Sequence, residues 1–380
     1  MYDLIIVGGG PSGSSAGRIA GKNGLNTLLI EKEAFPRYKP CGGALSEHAR
    51  SYLDFDIPDS IIEKEVHGGK ICFSDSSIER FKDYRLSIMV TRSIFDDYLL
   101  EKAKETGIEV HNGEKVISIM DRDDHVEIKT DSSTYRSRFV IISTGSQGTL
   151  KNTIREKDKK NEYGVCIVTE VQEDNKIIDE KIKNSVELHF GVSGMGYGWI
   201  FPHDNYYSVG IGSVDNRLAD PKLAMRNFLV NHNFNGKYKL NGHIIPCGGY
   251  KRDLVKGRVM LSGDAAGFVD AFTGEGMAYA IRSGQLAVEV ISENSGNDAK
   301  FLKLKEYEKR CYSEFGEHLK YSLLFAKIMH RFPKVTLRAF ASESQIVDNF
   351  FDVISFKMSY KEYLKWLLFN FKLSWLKNKN

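Results

Sequence analysis

The chain has 380 residues, of which 42% are hydrophobic and 27% charged, and its formal net charge is +3. This composition is typical of a globular protein, and the length suits one large or two ordinary domains with a substantial core. The small net charge and the lack of a Lys/Arg-rich block predict no nucleic-acid partner. The five cysteines are scattered without a C-x-x-C pair, which argues against a zinc site or a disulfide framework and suits a reducing cytoplasm.

The chain opens on an apolar run within its first residues, so no signal or transit peptide is expected before it. No apolar stretch of the sequence reaches the roughly 18 residues that a membrane-spanning helix needs. We therefore expect a cytoplasmic protein that does not cross the bilayer and whose contact with a membrane, if there is one, is peripheral and on the inner face.

The first fourteen residues, MYDLIIVGGGPSGS, predict a strand that runs into a phosphate-binding loop. Gly8, Gly10 and Gly13 have G-x-G-x-x-G spacing, which allows a tight turn, close approach of the backbone to a pyrophosphate, and close packing of helix on strand. The free N–H groups of the following helix would bind phosphate. Asn26 to Ile30 predicts a second buried strand. It ends at Glu31, whose carboxylate can accept both hydroxyls of an adenosine ribose and would repel a 2′-phosphate.

Short elements follow in the next part of the chain. The loop after Glu31, KEAFPRYKPCGGALSEHA, holds prolines and glycines that forbid regular structure until a short helix near Ser46. A loop this close to a nucleotide site is expected to contact the cofactor. Thr91 to Thr106 is predicted as a helix with Thr91 or Ser93 as its N-cap. Strands are predicted at Lys70 to Phe73, Ser87 to Val90, Val110 to Met120, Val126 to Thr130 and Phe139 to Ser143.

The pattern changes after a charged stretch, KNTIREKDKKNE, which begins at Lys151 and is predicted to be a surface connection. Residues 164–250 show period-2 alternation and predict an antiparallel sheet. A strand, Arg258 to Leu261, then leads into a glycine turn and a long helix from about Gly274. From Lys300 onward the pattern is helical.

Together these elements predict an α/β fold, α+β overall, in which a Rossmann-like nucleotide-binding domain is interrupted by a substrate domain and completed late in the chain. Residues 1–150 are assigned to the first part of the nucleotide-binding domain, with some substrate-domain strands near 66–90. Residues 151–250 are assigned to an antiparallel substrate-binding sheet. Residues 251–300 complete the nucleotide-binding domain, and residues 301–380 form a helical C-terminal region.

The stretch GRVMLSGDAAGFVDAFTGEG, residues 257–276, carries a second ligand-binding pattern. Asp264 lies at the mouth of a strand, where its carboxylate could accept hydroxyls of a flavin ribityl chain. Gly274 and Gly276 begin a helix whose N-terminal amides could face the pyrimidine edge of an isoalloxazine and stabilise the negative charge that develops there on reduction. The alternative is a strand–helix turn with an incidental aspartate, which the glycine fingerprint far upstream disfavours.

The segments MYDLIIVGGGPSGSSAG, VTRSIFDDYL and GRVMLSGDAAGFVDAFTGEGMAYAIRSG together resemble FAD-dependent oxidoreductases of the para-hydroxybenzoate hydroxylase type. That group includes aromatic hydroxylases, flavin-dependent halogenases and geranylgeranyl reductases. Within it, KPCGGAL (Lys39 to Leu45) and YGWIFP (Tyr197 to Pro202) are similar to the cysteine-glycine loop and the aromatic Y-x-W-x-F-P stretch of the geranylgeranyl reductases. The resemblance covers about residues 1–290 and implies an FAD-binding domain of this type.

The resemblance also implies which residues hold FAD. These are Gly8, Gly10, Ser12, Gly13, Glu31, Lys32, Cys41, Gly42, Gly43, Ala44, Arg92, Val116, Asp264, Gly274, Gly276 and Met277. Judged by residue type alone, Arg92 could reach the pyrophosphate or ribose from a helix start, or could be an ordinary surface arginine. Val116 rests on the resemblance alone. No metal ligands are expected.

In the reductases, the resemblance implies, the YGWIFP stretch lines an apolar channel that places an isoprenoid double bond on the flavin. The expected substrate residues are Phe190, Tyr197, Trp199, Ile200, Phe201, Pro202, Phe268 and Phe272, and the expected catalytic residues are Cys41, Tyr197 and Trp199. By periodicity alone, an aromatic cluster on a strand is more often core. Cys41 is either a small loop residue or a group that seats the cofactor or delivers a proton. A redox pair with Cys247, in the similar IPCGG stretch, is a further reading.

Two departures from the wider group bear on the reaction. Aromatic hydroxylases carry an aspartate-glycine motif after the third strand, where this chain reads STGSQG with Thr144 in place of the aspartate. Halogenases have a paired-tryptophan stretch, where this chain has only Trp199 in YGWIFP. The first departure weakens the hydroxylase reading, and the second weakens the halogenase reading.

The sequence thus favours a reductase that saturates isolated C=C bonds of a polyprenyl chain, such as geranylgeranyl, on a lipid, a diphosphate or a quinone by hydride transfer from FAD. The electron donor is expected to be ferredoxin or NAD(P)H. The alternatives are a flavin monooxygenase or halogenase acting on a small aromatic, and a peripheral electron-transfer flavoprotein to quinone. The last is disfavoured because the cysteines lack Fe–S cluster spacing.

Near the C-terminus, a predicted helix has an apolar stripe on one face and Lys361, Lys365 and Lys372 on the other. The stripe consists of Tyr360, Tyr363, Leu364, Leu367, Leu368, Phe371 and Trp375. Such a helix can lie in a membrane interface. The alternative is that it packs on the substrate domain or on a partner subunit.

Overall fold

The computed structural model describes residues 1–73, 76–193, 196–214, 220–247, 251–294, 303–332, 336, 339–340 and 343–370. Within them the strands are, in chain order, β1 (Tyr2–Val7), β2 (Thr27–Glu31), β3 (Ala44–Ser46), β4 (Lys64–Val66), β5 (Gly68–Cys72), β6 (Ser77–Phe81), β7 (Ser87–Met89), β8 (Glu109–Asn112), β9 (Val116–Asp121), β10 (Val126–Thr130), β11 (Thr134–Ile142), β12 (Gly164–Gln172), β13 (Ser185–Phe190), β14 (Gly196–Pro202), β15 (Tyr206–Val214), β16 (Asn241–Ile245), β17 (Val255–Lys256) and β18 (Val259–Leu261). The α-helices are α1 (Pro11–Lys22), α2 (Glu47–Ser51), α3 (Arg92–Lys104), α4 (Asn175–Ile182), α5 (Pro221–Asn231), α6 (Met277–Asn294), α7 (Glu306–Cys311), α8 (Glu317–Arg331), α9 (Ser344–Ile354) and α10 (Tyr360–Asn370).

The first sheet has the order β17-β18-β11-β1-β2-β8, and the hairpin strands β10 and β9 extend it from β11. β1, β2, β8, β11 and β18 are parallel, and their apolar side chains are buried against α1 and α6. Because parallel strands end at one edge of a sheet, the residues that follow β1, β2, β11 and β18 meet there. The Gly8 loop, Ser143 and Ser262 follow β1, β11 and β18, and Glu31 is the last residue of β2.

The second sheet has the order β16-β12-β15-β14-β13-β5-β6. The predicted antiparallel sheet of residues 164–250 therefore extends to two strands from the first part of the chain. The described strands within residues 164–250 pair antiparallel as expected, whereas β5, from outside this range, pairs with β13 in parallel, with Gly68 opposite Ser185. No hairpin joins these two strands, since a long stretch of chain separates them, and a parallel pair requires such a crossover.

Helix starts differ slightly from the expected positions. Thr91 is the N-cap residue of α3, but its hydroxyl bonds to Glu63 (2.7 Å) and Tyr206 (2.8 Å) rather than to the helix. α6 starts at Met277 rather than at about Gly274. The residues before it form a turn in which the Gly274 N–H donates to the Asp270 carbonyl.

The predicted surface connection from Lys151 is largely exposed, but Lys151 and Arg155 are buried. Arg155 forms an ion pair with Asp158 (2.7 Å) and donates to the Ala265 carbonyl (3.0 Å). Arg252 shares the same carboxylate at 2.8 Å. Buried charges of this kind are tolerated when they are paired and hydrogen-bonded, and this cluster ties the connection to the loop after β18.

The C-terminal helices close one side of the second sheet. In α9, Asp348 forms a bidentate ion pair with Arg80 of β6 (2.7 and 3.0 Å), and Phe351 packs on Gly69 of β5. In α10, Tyr360 and Tyr363 are buried, so the first part of the predicted apolar stripe packs within the protein. Leu368, at 78% exposed, does not. Phe371 and Trp375 lie outside the described residues. Among the described residues, no helix combines the length and apolarity needed to cross a bilayer.

Candidate active site

A cavity of about 1000 Å³ connects the carboxyl edge of the first sheet with one face of the second. A smaller cavity of about 120 Å³ shares several aromatic wall residues with its apolar end. The predicted site residues that line the large cavity are Gly8, Gly10, Ser12, Glu31, Lys32, Cys41, Gly42, Gly43, Ala44, Arg92, Val116, Phe190, Tyr197, Trp199, Phe201, Asp264, Phe272, Gly274, Gly276 and Met277. Gly13 lies directly behind this wall. The structure thus brings segments from most of the chain to one place.

The glycine loop leaves no room for side chains at two positions. Gly8 has φ +108°, and a Cβ on it would lie 2.5 Å from the Ser143 carbonyl oxygen. A Cβ on Gly13 would lie 1.8 Å from the carbonyl oxygen of Gly8. The loop is therefore pressed between β1, β11 and the first turn of α1. This is the arrangement in which backbone N–H groups face a pyrophosphate.

Glu31 is buried at the end of β2, and backbone groups hold its carboxylate. One oxygen accepts the Gly9 N–H at 2.7 Å, and the other accepts the Glu33 N–H at 2.9 Å. A carboxylate has about four acceptor positions, so each oxygen can still accept a ribose hydroxyl. The geometry fits the role expected for Glu31 and adds a second one, because the same carboxylate orients the glycine loop.

Two arginines meet at one buried carboxylate beside this loop. Asp96 is fully buried and takes a bidentate contact from Arg92 (2.7 and 2.9 Å) and an ion pair from Arg37 (2.9 Å). Burial opposes the charge of Arg92, but Asp96 and Cys41 outweigh it and raise the pKa of the guanidinium. Two cations around one anion leave a positive charge at the cavity wall.

Arg37 is a residue that the sequence reasoning missed. Its Nη1 is buried and has no hydrogen-bond partner among the described residues, and its Nη2 lies 3.5 Å from the position of a Cβ on Gly10. A buried donor without a partner is costly, so it indicates a ligand oxygen. The only sequence signal is an arginine between prolines shortly after Glu31, in a loop already expected to touch the cofactor.

The cysteine-glycine loop sits directly on the aromatic strand. A Cβ on Gly42 would lie 2.9 Å from the Phe201 ring and 3.4 Å from Trp199 Nε1. Ser208 links the two segments, because its hydroxyl donates to the Cys41 carbonyl (3.2 Å) and accepts the Trp199 N–H (3.4 Å). Two motifs that are far apart in sequence therefore form one surface.

A histidine that directly follows YGWIFP fixes the same loop. His203 is 1% exposed, its Nε2 lies 3.1 Å from the Gly42 carbonyl oxygen, and its Nδ1 bonds to Glu63. Gly43 has φ +84°, and a Cβ there would lie 2.5 Å from His203 Cε1. His203 and Glu63, which the sequence reasoning missed, are thus positioning residues for the loop.

Three predicted substrate residues need correction. Ile200 and Pro202 alternate with Trp199 and Phe201 along β14, so they face the opposite side of the sheet, where Ile200 packs with residues of α4 and α5. Phe268 is buried in the core of the first sheet, 4.8 Å from the Phe315 ring. None of these three residues lines the cavity.

The turn before α6 brings its predicted residues together. A Cβ on Gly276 would lie 3.3 Å from Asp264 Oδ1, so the carboxylate lies at the start of the helix. Tyr197 donates to the Thr273 carbonyl, which joins the aromatic strand to this turn. The predicted flavin-edge residues and the predicted channel residues are therefore neighbours.

Glu275, between the two glycines, was not singled out by the sequence reasoning. Its side chain faces the cavity and accepts a hydrogen bond from Ser46. Burial, helped by Asp270 and opposed by Ser46, raises the pKa of its carboxyl to about 7. An acid with this pKa can hold and release a proton near neutral pH.

Elsewhere in the cavity lining, Lys39 Nζ lies 2.8 Å from His243 Nε2. Burial lowers the pKa of Lys39, and burial together with Lys39 lowers that of His243 to about 3. Neutral His243 thus accepts from Lys39. All five cysteines of the chain are free thiols in the structure, and Cys247 is 4% exposed.

Comparisons with known proteins indicate the family and the fold of the chain. Residues 5–169 match the family described as pyridine nucleotide-disulphide oxidoreductase. The chloroplastic geranylgeranyl diphosphate reductase of Arabidopsis thaliana is 30% identical over 388 residues, covering 95% of this chain and 80% of that protein. The digeranylgeranylglycerophospholipid reductase of Methanococcus vannielii is 28% identical over 371 residues, covering 90% of each chain. A geranylgeranyl bacteriochlorophyll reductase-like protein from Thermoplasma acidophilum has the same fold, with a TM-score of 0.82 at 24% identity, covering 98% of this chain and 97% of that one.

Proposed function

The chain belongs to the family of geranylgeranyl reductases, and on that premise we propose that it saturates isolated C=C bonds in the prenyl chains of a membrane lipid. It is an FAD-dependent oxidoreductase that acts on C=C bonds. The observation that carries the proposal is the packing of the Cys41–Gly42 loop on Trp199 and Phe201 inside a cavity that begins at the glycine loop.

The nucleotide end of the cavity fits FAD. The glycine loop and the start of α1 would hold the pyrophosphate, with the unpartnered Nη1 of Arg37 as a further donor. Glu31 would accept the adenosine ribose hydroxyls, and Asp264 those of the ribityl chain. The amides at Gly276 and Met277, at the start of α6, would face the pyrimidine edge of the flavin.

The other end of the cavity fits an isoprenoid chain. Its wall is apolar and comes from separate elements, with Leu188 and Phe190 from β13, Tyr197 and Trp199 from β14, and Phe350 from α9. An unactivated alkene offers no carbonyl to polarise, so the rate depends on orienting it and excluding water. Rings packed as closely as Phe190 and Phe272, 6.1 Å between centroids, provide such a dry, shaped wall.

Reduction of an alkene needs a hydride at one carbon and a proton at the other. Bound reduced FAD supplies the hydride. We assign the proton to the carboxyl of Glu275, which faces the cavity and is left as a carboxylate held by Ser46 after the transfer. In this assignment Cys41 is a positioning residue. Its contacts with Arg92 and Ser208 hold the cysteine-glycine loop against the aromatic strand.

Contact with the membrane is proposed for the end of α10. Leu368 and Phe369 are 78% and 72% exposed and adjacent, which suits insertion into a lipid interface. Ferredoxin and NAD(P)H remain the proposed donors.

One experiment tests both the reduction of prenyl chains and the contact with the membrane. FAD-loaded protein is reduced anaerobically with dithionite and incubated with liposomes that contain a geranylgeranyl lipid, and the product is analysed by mass spectrometry. We expect products heavier by two mass units for each saturated bond, and co-sedimentation that weakens in a Leu368→Ser/Phe369→Ser variant. No mass gain with any polyprenyl substrate would reject the reductase proposal, and equal sedimentation of both proteins would reject membrane contact.

A further inference from the structure

A group of polar side chains lies on the face of the second sheet that turns away from the cavity. In the parallel pair of β5 and β13, Cys72 lies opposite His189 and Lys70 lies opposite Glu187. Leu188 and Phe190, which alternate with Glu187 and His189, line the cavity. The polar group therefore lies behind the prenyl wall, and the C-terminal end of α5 covers it through His232.

Three potential ligand atoms converge in this group. Cys72 Sγ, a carboxylate oxygen of Glu187 and a ring nitrogen of His189 all lie within 4.8 Å of one another. Glu187 Oε2 and His189 Nε2 are 3.1 Å apart. Cys72 and His189 are buried, with 9% and 8% of their surface exposed.

The hydrogen bonds around the two histidines leave a gap for a cation. His232 Nδ1 lies 2.7 Å from the Phe228 carbonyl oxygen, which can only accept, so this nitrogen carries the proton. In a neutral ring, His232 Nε2 is then bare and must accept from His189 Nδ1, 3.2 Å away. With Nδ1 donating, a neutral His189 ring has a bare Nε2, and this nitrogen faces the carboxylate of Glu187. Two acceptors at 3.1 Å repel unless a cation lies between them.

A thiol at the same point favours a metal ion over a proton as that cation. A proton needs only the nitrogen and the carboxylate, whereas sulfur, nitrogen and oxygen donors converging on one point form a ligand set typical of zinc. We propose that Cys72 Sγ, Glu187 and His189 Nε2 bind Zn²⁺. Binding releases the thiol proton of Cys72 to solvent, so one thiolate and one carboxylate balance the two charges of the ion.

The remaining members of the group have supporting roles. His232 is a positioning residue, because its contact with Nδ1 of His189 fixes the tautomer that leaves Nε2 free for the metal. Lys70 pairs with the other oxygen of Glu187 at 3.1 Å and holds the carboxylate in place. The ion would join β5 to β13 and, through His232, to α5, and so stabilise the wall of the prenyl cavity from behind.

The test uses FAD-loaded protein produced without a histidine tag, supplied with zinc and then dialysed. We expect one zinc ion per chain by mass spectrometry of the metal. X-ray absorption at the zinc edge should show one sulfur at about 2.3 Å together with nitrogen and oxygen at about 2.0–2.2 Å. Chelation should lower the melting temperature of the protein, because the ion binds the folded state alone.

Variants separate the proposed ligands from their surroundings. Cys72→Ser should remove the sulfur signal and most of the zinc, and His232→Ala should weaken zinc binding about 10- to 100-fold. Cys311→Ala is the matched control, since it removes a buried thiol from the core of the first sheet and should leave zinc content unchanged. If Cys72→Ser does not fold, Glu187→Gln tests the same site. Absence of zinc after dialysis, or zinc without a sulfur ligand, would overturn the proposal.

Discussion

The two ends of the cavity are built in opposite ways. The nucleotide end is built around one short loop, in which backbone meets backbone at Gly8 and Gly13 and a single added carbon has no space. The apolar end, proposed above for the prenyl chain, is formed by side chains from β13, β14 and α9, which are far apart in the sequence. The first end therefore depends on a local motif, and the second depends on which face of each strand is turned inward.

The ends also differ in how they treat charge. At the nucleotide end, Arg37 and Arg92 share the buried Asp96 and leave a net positive charge for a phosphate. At the prenyl end the wall is aromatic and aliphatic, and the carboxyl of Glu275, in the turn before α6, faces the cavity. The difference suggests that cofactor binding and turnover can be damaged separately.

The largest effect is expected from a change in the loop itself. Gly13→Ala puts a Cβ 1.8 Å from the Gly8 carbonyl oxygen, so the loop and α1 must move apart. We expect loss of bound FAD and a clearly lower melting temperature. Gly10→Ala is the control, because its Cβ meets only Arg37 Nη2 at 3.5 Å. When both proteins are measured without FAD, this variant should have the same melting temperature as the wild type. The flavin content and the thermal unfolding of both variants test this prediction. Normal flavin in Gly13→Ala would contradict this account of the loop.

A change in the aromatic strand should separate turnover from flavin binding. Trp199→Ala removes a ring that lines the cavity and packs on the Cys41 loop. We expect turnover to fall roughly 10²-fold while the protein retains FAD. Ile200→Ala, one residue on, removes a side chain from the opposite face. It should cost about 2–5 kcal/mol of stability while leaving turnover nearly unchanged. Equal loss of turnover in both variants would contradict the assignment of faces.

A pH-dependent effect is expected at Glu275. Its pKa is raised to about 7, so the acid form that can give a proton dominates below that pH and is lost above it. Prenyl reduction should therefore slow as the pH rises through about 7. Glu275→Gln cannot give a proton and should react roughly 10²- to 10⁴-fold more slowly, without this decline.

Ser46→Ala gives a sharper form of the same test. The Ser46 hydroxyl lowers the pKa of Glu275, so its removal should move the decline in rate to higher pH. Rates measured across pH on the flavin-loaded variants provide the readout. A wild-type profile that is flat across pH 7, or one that Ser46→Ala does not shift, would exclude Glu275 as the proton donor.

The sequence analysis was most successful where function depends on backbone. The glycine loop, the end of β2 at Glu31 and the Asp264 turn were each recognisable from a few neighbouring residues, and the structure places all of them at one cavity. The misassigned wall residues, Ile200 and Pro202, came from treating a continuous motif as a continuous surface. Strand geometry turns every second residue of such a motif away.

Other site residues left no local signal. Arg37 is held at the site by its ion pair with Asp96, which lies on a helix far along the chain. The pKa of Glu275 is raised by burial and by Asp270, and Ser46 opposes this shift. Cys72, Glu187 and His189 come from two strands whose parallel pairing the alternation of residues did not predict. Counting cysteine spacings therefore gave no indication that these three side chains converge.

By itself, the sequence determined the cofactor loop, the strands that lead into it and the family to which the chain belongs. These depend on residues a few positions apart, whose steric limits hold in any fold. Only the tertiary structure decided which side chains face the apolar end of the cavity, which charges are buried together, and where sulfur, nitrogen and oxygen meet behind its wall. Those properties arise from contacts between distant segments, and the burial that comes with those contacts changes the chemistry of each group.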